Sequence, residues 1–166
     1  LLFISLVVFA ETGLFFAFFL PGDYLLFLTG VFGGTAILKE SLTELLIHIF
    51  LAACLGTLVG FLTGRYFGTA LEGRKDSIWF KRKHLDSTRM FFNKHGQWAL
   101  IISKFLPVVR TFTPILAGII KMSWPRFLFL NVLGSGLWVG ILVSSGFYLG
   151  SAYPWIIDYV HYIILF

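Results

Sequence analysis

Two cations lie inside a stretch of this sequence that is otherwise almost entirely apolar. The stretch, residues 103–118, reads SKFLPVVRTFTPILAG and places Lys104 and Arg110 beside Pro107 and Pro114. In a membrane segment each charged side chain costs about 2.5 kcal/mol or more, so such residues are functional by default. Prolines break helices, and the N–H groups at a helix start attract anions. Because a guanidinium can bind phosphate through two hydrogen bonds, the pattern predicts a site for an anionic phosphate group.

A second stretch has the same layout with the opposite charge. Residues 11–30 contain Glu11 and Asp23, with a break at Pro21-Gly22 between them. We expect the two stretches to face each other and to form a site for the head group of an anionic lipid. Glu11 and Asp23 would neutralise the cations while the site is empty. Since burial favours the uncharged form of a carboxylic acid, protonation of one acid would release a cation for the phosphate and couple protons to lipid movement.

The composition is that of an integral membrane protein. Of the 166 residues, 58% are hydrophobic and 13% are charged, and the mean hydropathy is +0.88. Soluble domains have about 45–50% apolar and about 25% charged residues, so this chain lies far outside their range. We expect one domain over residues 1–166, and we expect that an N-terminal piece precedes Leu1.

The positive charge is concentrated in the middle of the chain. Eight of the thirteen lysine and arginine residues lie between positions 65 and 94. Between membrane segments, this run predicts a cytoplasmic loop near anionic lipids, with one or two amphipathic surface helices, and not a nucleic-acid site. The single cysteine, Cys54, and the four scattered histidines form no ligand or nucleophile motif. We therefore expect no metal, no cofactor and no enzymatic activity.

Short and long apolar segments must position the charges. Residues 1–38 form either two spans joined by a short turn or a re-entrant hairpin with its tip at 21–23, and the short second arm favours the hairpin. A capping box, Ser41 with Glu44, predicts the start of the first full span over 42–64. A second full span is predicted over 127–150. Four glycines recur at every fourth position along the first span and predict close packing of another helix; they are Gly56, Gly60, Gly64 and Gly68.

The chain contains two copies of one plan. Phe19-Leu20-Pro21 matches Phe105-Leu106-Pro107, and each is followed within three residues by a charge, Asp23 or Arg110. Paired broken segments in two halves are typical of transporters with pseudo-twofold repeats. The predicted fold is therefore an all-α membrane protein of two pseudo-symmetric repeats, about 1–68 and 97–166, joined by a basic amphipathic linker over 69–96. Each repeat has a re-entrant helical hairpin and a glycine-rich transmembrane helix. The predicted break motifs are Pro21, Gly22, Pro107, Pro114 and Gly118.

These residues resemble the DedA family, also called the VTT or SNARE-associated membrane domain. The resemblance covers nearly the whole chain and is carried by F-x-P-x-x-R-T-x-x-P-x-x-A-G, which here comprises Phe105, Pro107, Arg110, Thr111, Pro114, Ala117 and Gly118. The family usually has arginine at the position of Lys104, so this chain keeps the charge there and loses the two-pronged guanidinium.

The resemblance implies a flippase or scramblase-like lipid transporter in the bacterial cytoplasmic membrane, with several membrane passes. It implies undecaprenyl phosphate or another anionic lipid as substrate, and dependence on the proton motive force. Transferred residue by residue, the family's acidic pair falls on Glu11 and Asp23 and its basic pair on Lys104 and Arg110. We expect Arg110, Lys104 and Thr111 to bind the phosphate, and Glu11 and Asp23 to couple protons. The expected partners are membrane lipids and protons, not nucleic acid, and a homo-oligomer is left open.

Four alternatives stay open at this point. The four charges could be structural ion pairs. The acids could bind the substrate of a proton-coupled exporter of cationic small molecules. A membrane-embedded lipid phosphatase is a third alternative, although it would require a histidine nucleophile or a metal cluster. A membrane scaffold without transport is the fourth.

Overall fold

The computed structural model describes residues 1–14, 22–35, 38, 40–72, 82–153 and 155, and every regular element in these ranges is helical. The all-α prediction is confirmed for them. The predicted break at Pro21, the linker residues 73–81 and the last apolar segment at 156–166 lie outside the described residues. In chain order the α-helices are α1 (Leu2–Gly13), α2 (Gly22–Gly34), α3 (Leu42–Glu72), α4 (Arg82–His95), α5 (Ala99–Ile102), α6 (Pro107–Ile119) and α7 (Trp124–Ala152), with 3-10 turns at Gly96–Trp98 and Ser103–Phe105.

Two of these helices are long and apolar enough to cross a membrane. The candidate spans are Leu42–Gly68 in α3, with a mean hydropathy of 2.4, and Trp124–Ala152 in α7, with 1.9. At about 1.5 Å per residue each is about 40 Å long, which exceeds a hydrocarbon core of about 30 Å. Both predicted spans are thus found, and both helices extend beyond the predicted bounds.

The capping box explains where α3 begins. The Ser41 backbone N–H donates to Glu44 Oε2 at 2.8 Å, and the Glu44 N–H donates back to Ser41 Oγ at 3.3 Å. At the other end, Arg65 lets α3 continue past the predicted end at residue 64. Its Nη1 donates to the Met122 carbonyl at 3.0 Å, and its guanidinium lies 5.6 Å from the Trp124 ring. The charge therefore has partners, and the helix continues to Glu72.

The remaining apolar helices are too short to cross a bilayer singly. α1 has 12 residues and α2 and α6 have 13 each, or about 20 Å of helix. Before α6, Leu106 is extended, as expected of a residue that precedes proline, and Pro107 begins the helix. The prediction that Pro114 also breaks this segment is wrong, because α6 continues through Pro114 to Ile119. Gly118 likewise lies inside α6.

Each short helix packs along a long one where glycines remove the side chain between them. A Cβ on Gly64 of α3 would overlap the Ile115 carbonyl of α6, and one on Gly118 of α6 would overlap the Phe61 carbonyl of α3. α2 contacts α7 in the same way through Gly30 and Gly146. The predicted glycine face of α3 is therefore confirmed. Notably, α2 packs on the long helix of the second half, and α6 packs on the long helix of the first half.

The amphipathic helix α4 also contacts α6. Its Phe92 packs against a cluster of Phe112, Ile115 and Leu116, while Asp86, Lys94 and other polar side chains of α4 are exposed. The described part of the basic linker thus contains one amphipathic helix, docked on the helix that carries Arg110.

The packing of α3 on α6 gives a direct test. We expect Gly64→Ala to lower the free energy of unfolding by about 1–3 kcal/mol, because its methyl group would overlap the Ile115 backbone. Gly140→Ala is the matched control, since no atom lies within 4 Å of its added Cβ and alanine favours a helix by up to about 1 kcal/mol. Unfolding of both variants in detergent measures the difference. Equal stability of the two would contradict the described packing.

Candidate functional site

Three of the four predicted charges meet in one buried cluster, formed by Arg110, Glu11 and Asp23. Arg110 Nη2 donates to Glu11 Oε1, and Arg110 Nη1 donates to Asp23 Oδ1 at 2.5 Å. One guanidinium therefore connects α6 with both α1 and α2. The predicted facing of the two stretches is found for these residues. When both acids are ionised, the cluster carries one excess negative charge.

The ends of three helices place these side chains. Arg110 lies in the first turn of α6, and Asp23 lies in the first turn of α2. Helix N-termini carry partial positive charge, which favours Asp23 and adds to the positive potential around Arg110. Glu11 lies in the last turn of α1, which ends at Gly13. The breaks between helices are therefore what bring the charges to one point.

Glu11 is fully buried, and one of its two carboxylate oxygens has no described hydrogen-bond partner. Its exposed fraction is 0%, and Oε1 accepts a hydrogen bond from the Gly22 N–H at 3.3 Å in addition to the one from Arg110. A Cβ on Gly22 would overlap the carboxyl group of Glu11, so a larger residue there would push that group off its present position. Among the described residues, neither Glu11 Oε2 nor Arg110 Nε has a hydrogen-bond partner. Glu11 Oε2 could accept a proton or a hydrogen bond from water, and the Arg110 Nε–H could donate to a water or ligand oxygen, without first breaking a described bond.

Asp23 is the exposed member of the cluster. Its side chain is 35% exposed, against 2% for that of Arg110. Asp23 Oδ1 also accepts a hydrogen bond from Trp138 Nε1 at 2.9 Å, and the Arg110 guanidinium lies 5.0 Å from the centre of the Trp138 ring. The cluster is thus reached from outside through Asp23, and its base is closed by α7.

Lys104 lies apart from the acids, contrary to the expectation that they neutralise both cations. It is 3% exposed, and its Nζ donates to Thr57 Oγ1 of α3 at 2.6 Å. It makes no ion pair with any residue in the described ranges. Thr57 in turn donates to the Ala53 carbonyl at 2.7 Å. Lys104 is therefore a buried cation held by a hydroxyl group.

Two other predicted residues do not touch the cluster in this structure. The Thr111 hydroxyl donates to the Val108 carbonyl at 3.1 Å, and Pro114 faces Gly60 of α3. Sequence reasoning missed Trp138 and Thr57. Trp138 had a visible signal, because a tryptophan in the middle of a span must place its N–H on an acceptor. Thr57 had none, because serine and threonine usually bond to their own helix.

A metal site has no support in the described residues. They contain no group of three or more histidine, cysteine, aspartate or glutamate side chains that could hold a metal ion. The charged cluster itself offers two carboxylates and a guanidinium, which suit ionic binding and proton exchange.

Comparison with known proteins gives a consistent result. The VTT domain model matches residues 20–148. Protein DedA of Escherichia coli K12 is 38% identical over 146 residues, which cover 88% of this chain and 67% of that protein. Inner membrane protein YqjA of the same strain is 36% identical over 145 residues, or 87% and 65% of the two chains. An uncharacterized membrane protein of Mycobacterium leprae is 37% identical over 159 residues, or 96% and 70%. No solved structure matches this chain.

The contact between Gly22 and Glu11 can be tested by a double-mutant cycle. We expect Gly22→Ala to lower the free energy of unfolding by about 1–3 kcal/mol by pushing Glu11 off Arg110. In a Glu11→Ala background the same change should leave the free energy of unfolding almost unchanged, because the overlapping carboxyl group is gone. Unfolding of the wild type, both single variants and the double variant in detergent gives the coupling energy. Additive effects of the two changes would contradict the described contact.

Proposed function

The chain belongs to the DedA family of VTT-domain membrane proteins, and on this premise we propose that it transports an anionic lipid across the cytoplasmic membrane. The proposed substrate is undecaprenyl phosphate or a related isoprenoid phosphate or phospholipid, moved in a flippase or scramblase-like manner with proton coupling. The observation that supports this most is the buried Arg110, shared between Glu11 and Asp23 at the start of α6.

Arg110 is proposed to exchange its acids for the lipid phosphate. A guanidinium held by two separate carboxylates can present the same two N–H directions to two phosphate oxygens. The α6 N-terminus favours an anion at this place. Protonation of Glu11 would leave Arg110 with one charged partner, the more exposed Asp23, and a phosphate could then replace it. In this scheme the Glu11 carboxylate and the phosphate compete for the same guanidinium, and a proton on Glu11 favours the phosphate.

Lys104 and Thr111 are proposed as further contacts along the path of the head group. The ammonium group of Lys104 has three donors, of which one is used by a described partner, Thr57. It could therefore bind a phosphate oxygen without losing that partner. Thr111 would first have to release the Val108 carbonyl. We propose Lys104 as the stronger second contact.

The topology proposed for transport has two re-entrant hairpins with pseudo-twofold symmetry. α1 and α2 would form the first hairpin, and α5 and α6 the second, since these helices are too short to span alone. The exchange of partners, α2 on α7 and α6 on α3, is what a twofold relation between the halves would produce. With the basic linker on the cytoplasmic side, the hairpins would enter from opposite faces.

Transport by Arg110 variants tests the phosphate site. In proteoliposomes with labelled undecaprenyl phosphate, we expect Arg110→Lys to reduce the rate about tenfold or more, since a point charge replaces a two-pronged donor worth about 1.5–3 kcal/mol per bond. The triple variant with Arg110, Glu11 and Asp23 all changed to neutral amides controls for folding, because it leaves no unpaired buried charge. It should fold and fail to transport. Wild-type rates in both variants would overturn the proposal.

The pH dependence of transport tests the role of Glu11. If an ionised Glu11 holds Arg110, transport by the wild type should rise as the pH falls, because protonation releases the guanidinium. Glu11→Gln mimics the protonated acid, so downhill transport should become independent of pH, and accumulation driven by a proton gradient should be lost. A wild-type pH profile in Glu11→Gln would contradict proton coupling through this residue.

A proton-coupled exporter of cationic small molecules is the second candidate, because the two carboxylates that hold Arg110 could hold a substrate cation. Proton flux driven by a cation and not by a lipid phosphate would favour this candidate. Release of inorganic phosphate from the labelled lipid would instead favour a phosphatase.

A further inference from the structure

We propose that Trp138 is a positioning residue that holds Asp23 in place and thereby makes the two acids of the cluster unequal. In this arrangement Asp23 is a fixed counter-ion, and Glu11 alone exchanges the proton. The inference deepens the proposed function and rests on it for the transport step. The contact that carries it, between Trp138 and Asp23, is independent of the substrate.

The first argument is that Trp138 touches both partners of one ion pair. Its Nε1–H donates to Asp23 Oδ1 at 2.9 Å, and this same oxygen accepts the bond from Arg110 Nη1. The face of its ring lies 5.0 Å from the Arg110 guanidinium carbon. A tryptophan that only filled the core would need an acceptor for its N–H, but not one that it shares with a buried cation. The indole thus fixes the angle at which α2 presents its acid to α6.

The second argument is that Trp138 cannot follow Asp23 if that acid moves. Trp138 is 1% exposed and belongs to a core cluster with Val8, Leu26 and Val143. Its helix is locked to α2 by close contacts at Gly30 and Gly146. When Arg110 leaves Asp23 for a phosphate, the indole N–H remains on Oδ1. Asp23 therefore keeps a donor and its position throughout the exchange.

The third argument is the contrast with Glu11. Helices α2, α3 and α6 pack against α1. From the described parts of these helices, the charged groups that face Glu11 are Arg110 and Asp23. Glu11 Oε2 has no described hydrogen-bond partner. Within the described ranges, no donor comparable to the Trp138 indole holds that oxygen, so Glu11 can accept a proton there without losing a described hydrogen bond.

Transport rates in a double-mutant cycle test the inference. Trp138→Phe keeps an aromatic ring beside Arg110 and removes the N–H, and we expect it to slow transport of undecaprenyl phosphate roughly tenfold, the loss typical of one hydrogen bond to a charged group. In an Asp23→Ala background, Trp138→Phe should cause no further loss, because the acceptor is already absent. Wild-type rates in Trp138→Phe, or losses that multiply in the double variant, would overturn the inference.

Trp124→Phe is the matched control. Trp124 lies on the same helix and also covers an arginine, Arg65, at 5.6 Å, but it is the first residue of α7, whereas Trp138 contacts Asp23 at the middle of that helix. This variant should transport at the wild-type rate and with the wild-type pH profile. Trp138→Phe should instead transport more slowly than the wild type.

An NMR measurement separates this inference from the proposed function. The chain has five tryptophans, and the indole N–H signal that disappears in Trp138→Phe identifies Trp138 in nitrogen-labelled protein. Asp23→Ala should shift that signal, and Lys104→Ala should not. An unmoved signal refutes the inference even if the wild type transports lipid. If the signal moves but the wild-type protein transports nothing, the transport proposal fails and the positioning contact stands.

Discussion

A single guanidinium shared by two carboxylates is the interaction on which this structure depends. In the low dielectric of a membrane interior an unpaired charge is costly, and removing one partner of a buried ion pair destabilises a protein by about 3–5 kcal/mol. Arg110 meets this constraint by joining α6 to α1 and α2, which are too short to span a membrane singly. The ion pairs therefore determine where three helix ends must meet. The rest of the fold holds those ends in place.

Glycine-lined packing makes that meeting possible. The two long helices, α3 and α7, each carry glycines where a short helix crosses them, and the backbones there approach so closely that a methyl group would not fit. Side-chain bulk at these positions would move α6 and α2 away from the long helices. Since hydrogen bonds weaken steeply with distance, a displacement of about 1 Å would weaken those of Arg110. The ion pairs of Arg110 therefore depend on the close helix packing that the glycines allow.

Much of the fold was predictable because its signals are local or periodic. The capping box of Ser41 and Glu44 involves neighbours in sequence, and the glycine repeat of α3 shows directly on one helix face. Charge balance in an apolar chain also predicted that acids and cations would meet. Charge balance could not tell which cation pairs with both acids, because Lys104 and Arg110 carry the same charge. They differ in shape: the guanidinium of Arg110 has two terminal nitrogens, each of which binds one acid.

The remaining errors have physical causes as well. Pro114 was expected to break the chain, but proline removes only one N–H, and the flanking turns of α6 are held by packing on α3. The separation of Lys104 from the acids depends on Thr57, which is 47 residues away in sequence. Contacts of this kind depend on how helices cross, and a single sequence contains no pattern for them.

The docking of α4 on α6 connects the exposed polar face of α4 with the helix that carries the buried Arg110. Phe92 of α4 packs against Phe112, which lies two residues beyond Arg110 on the same helix. A displacement of α4 would therefore reach the helix whose first turn carries the guanidinium.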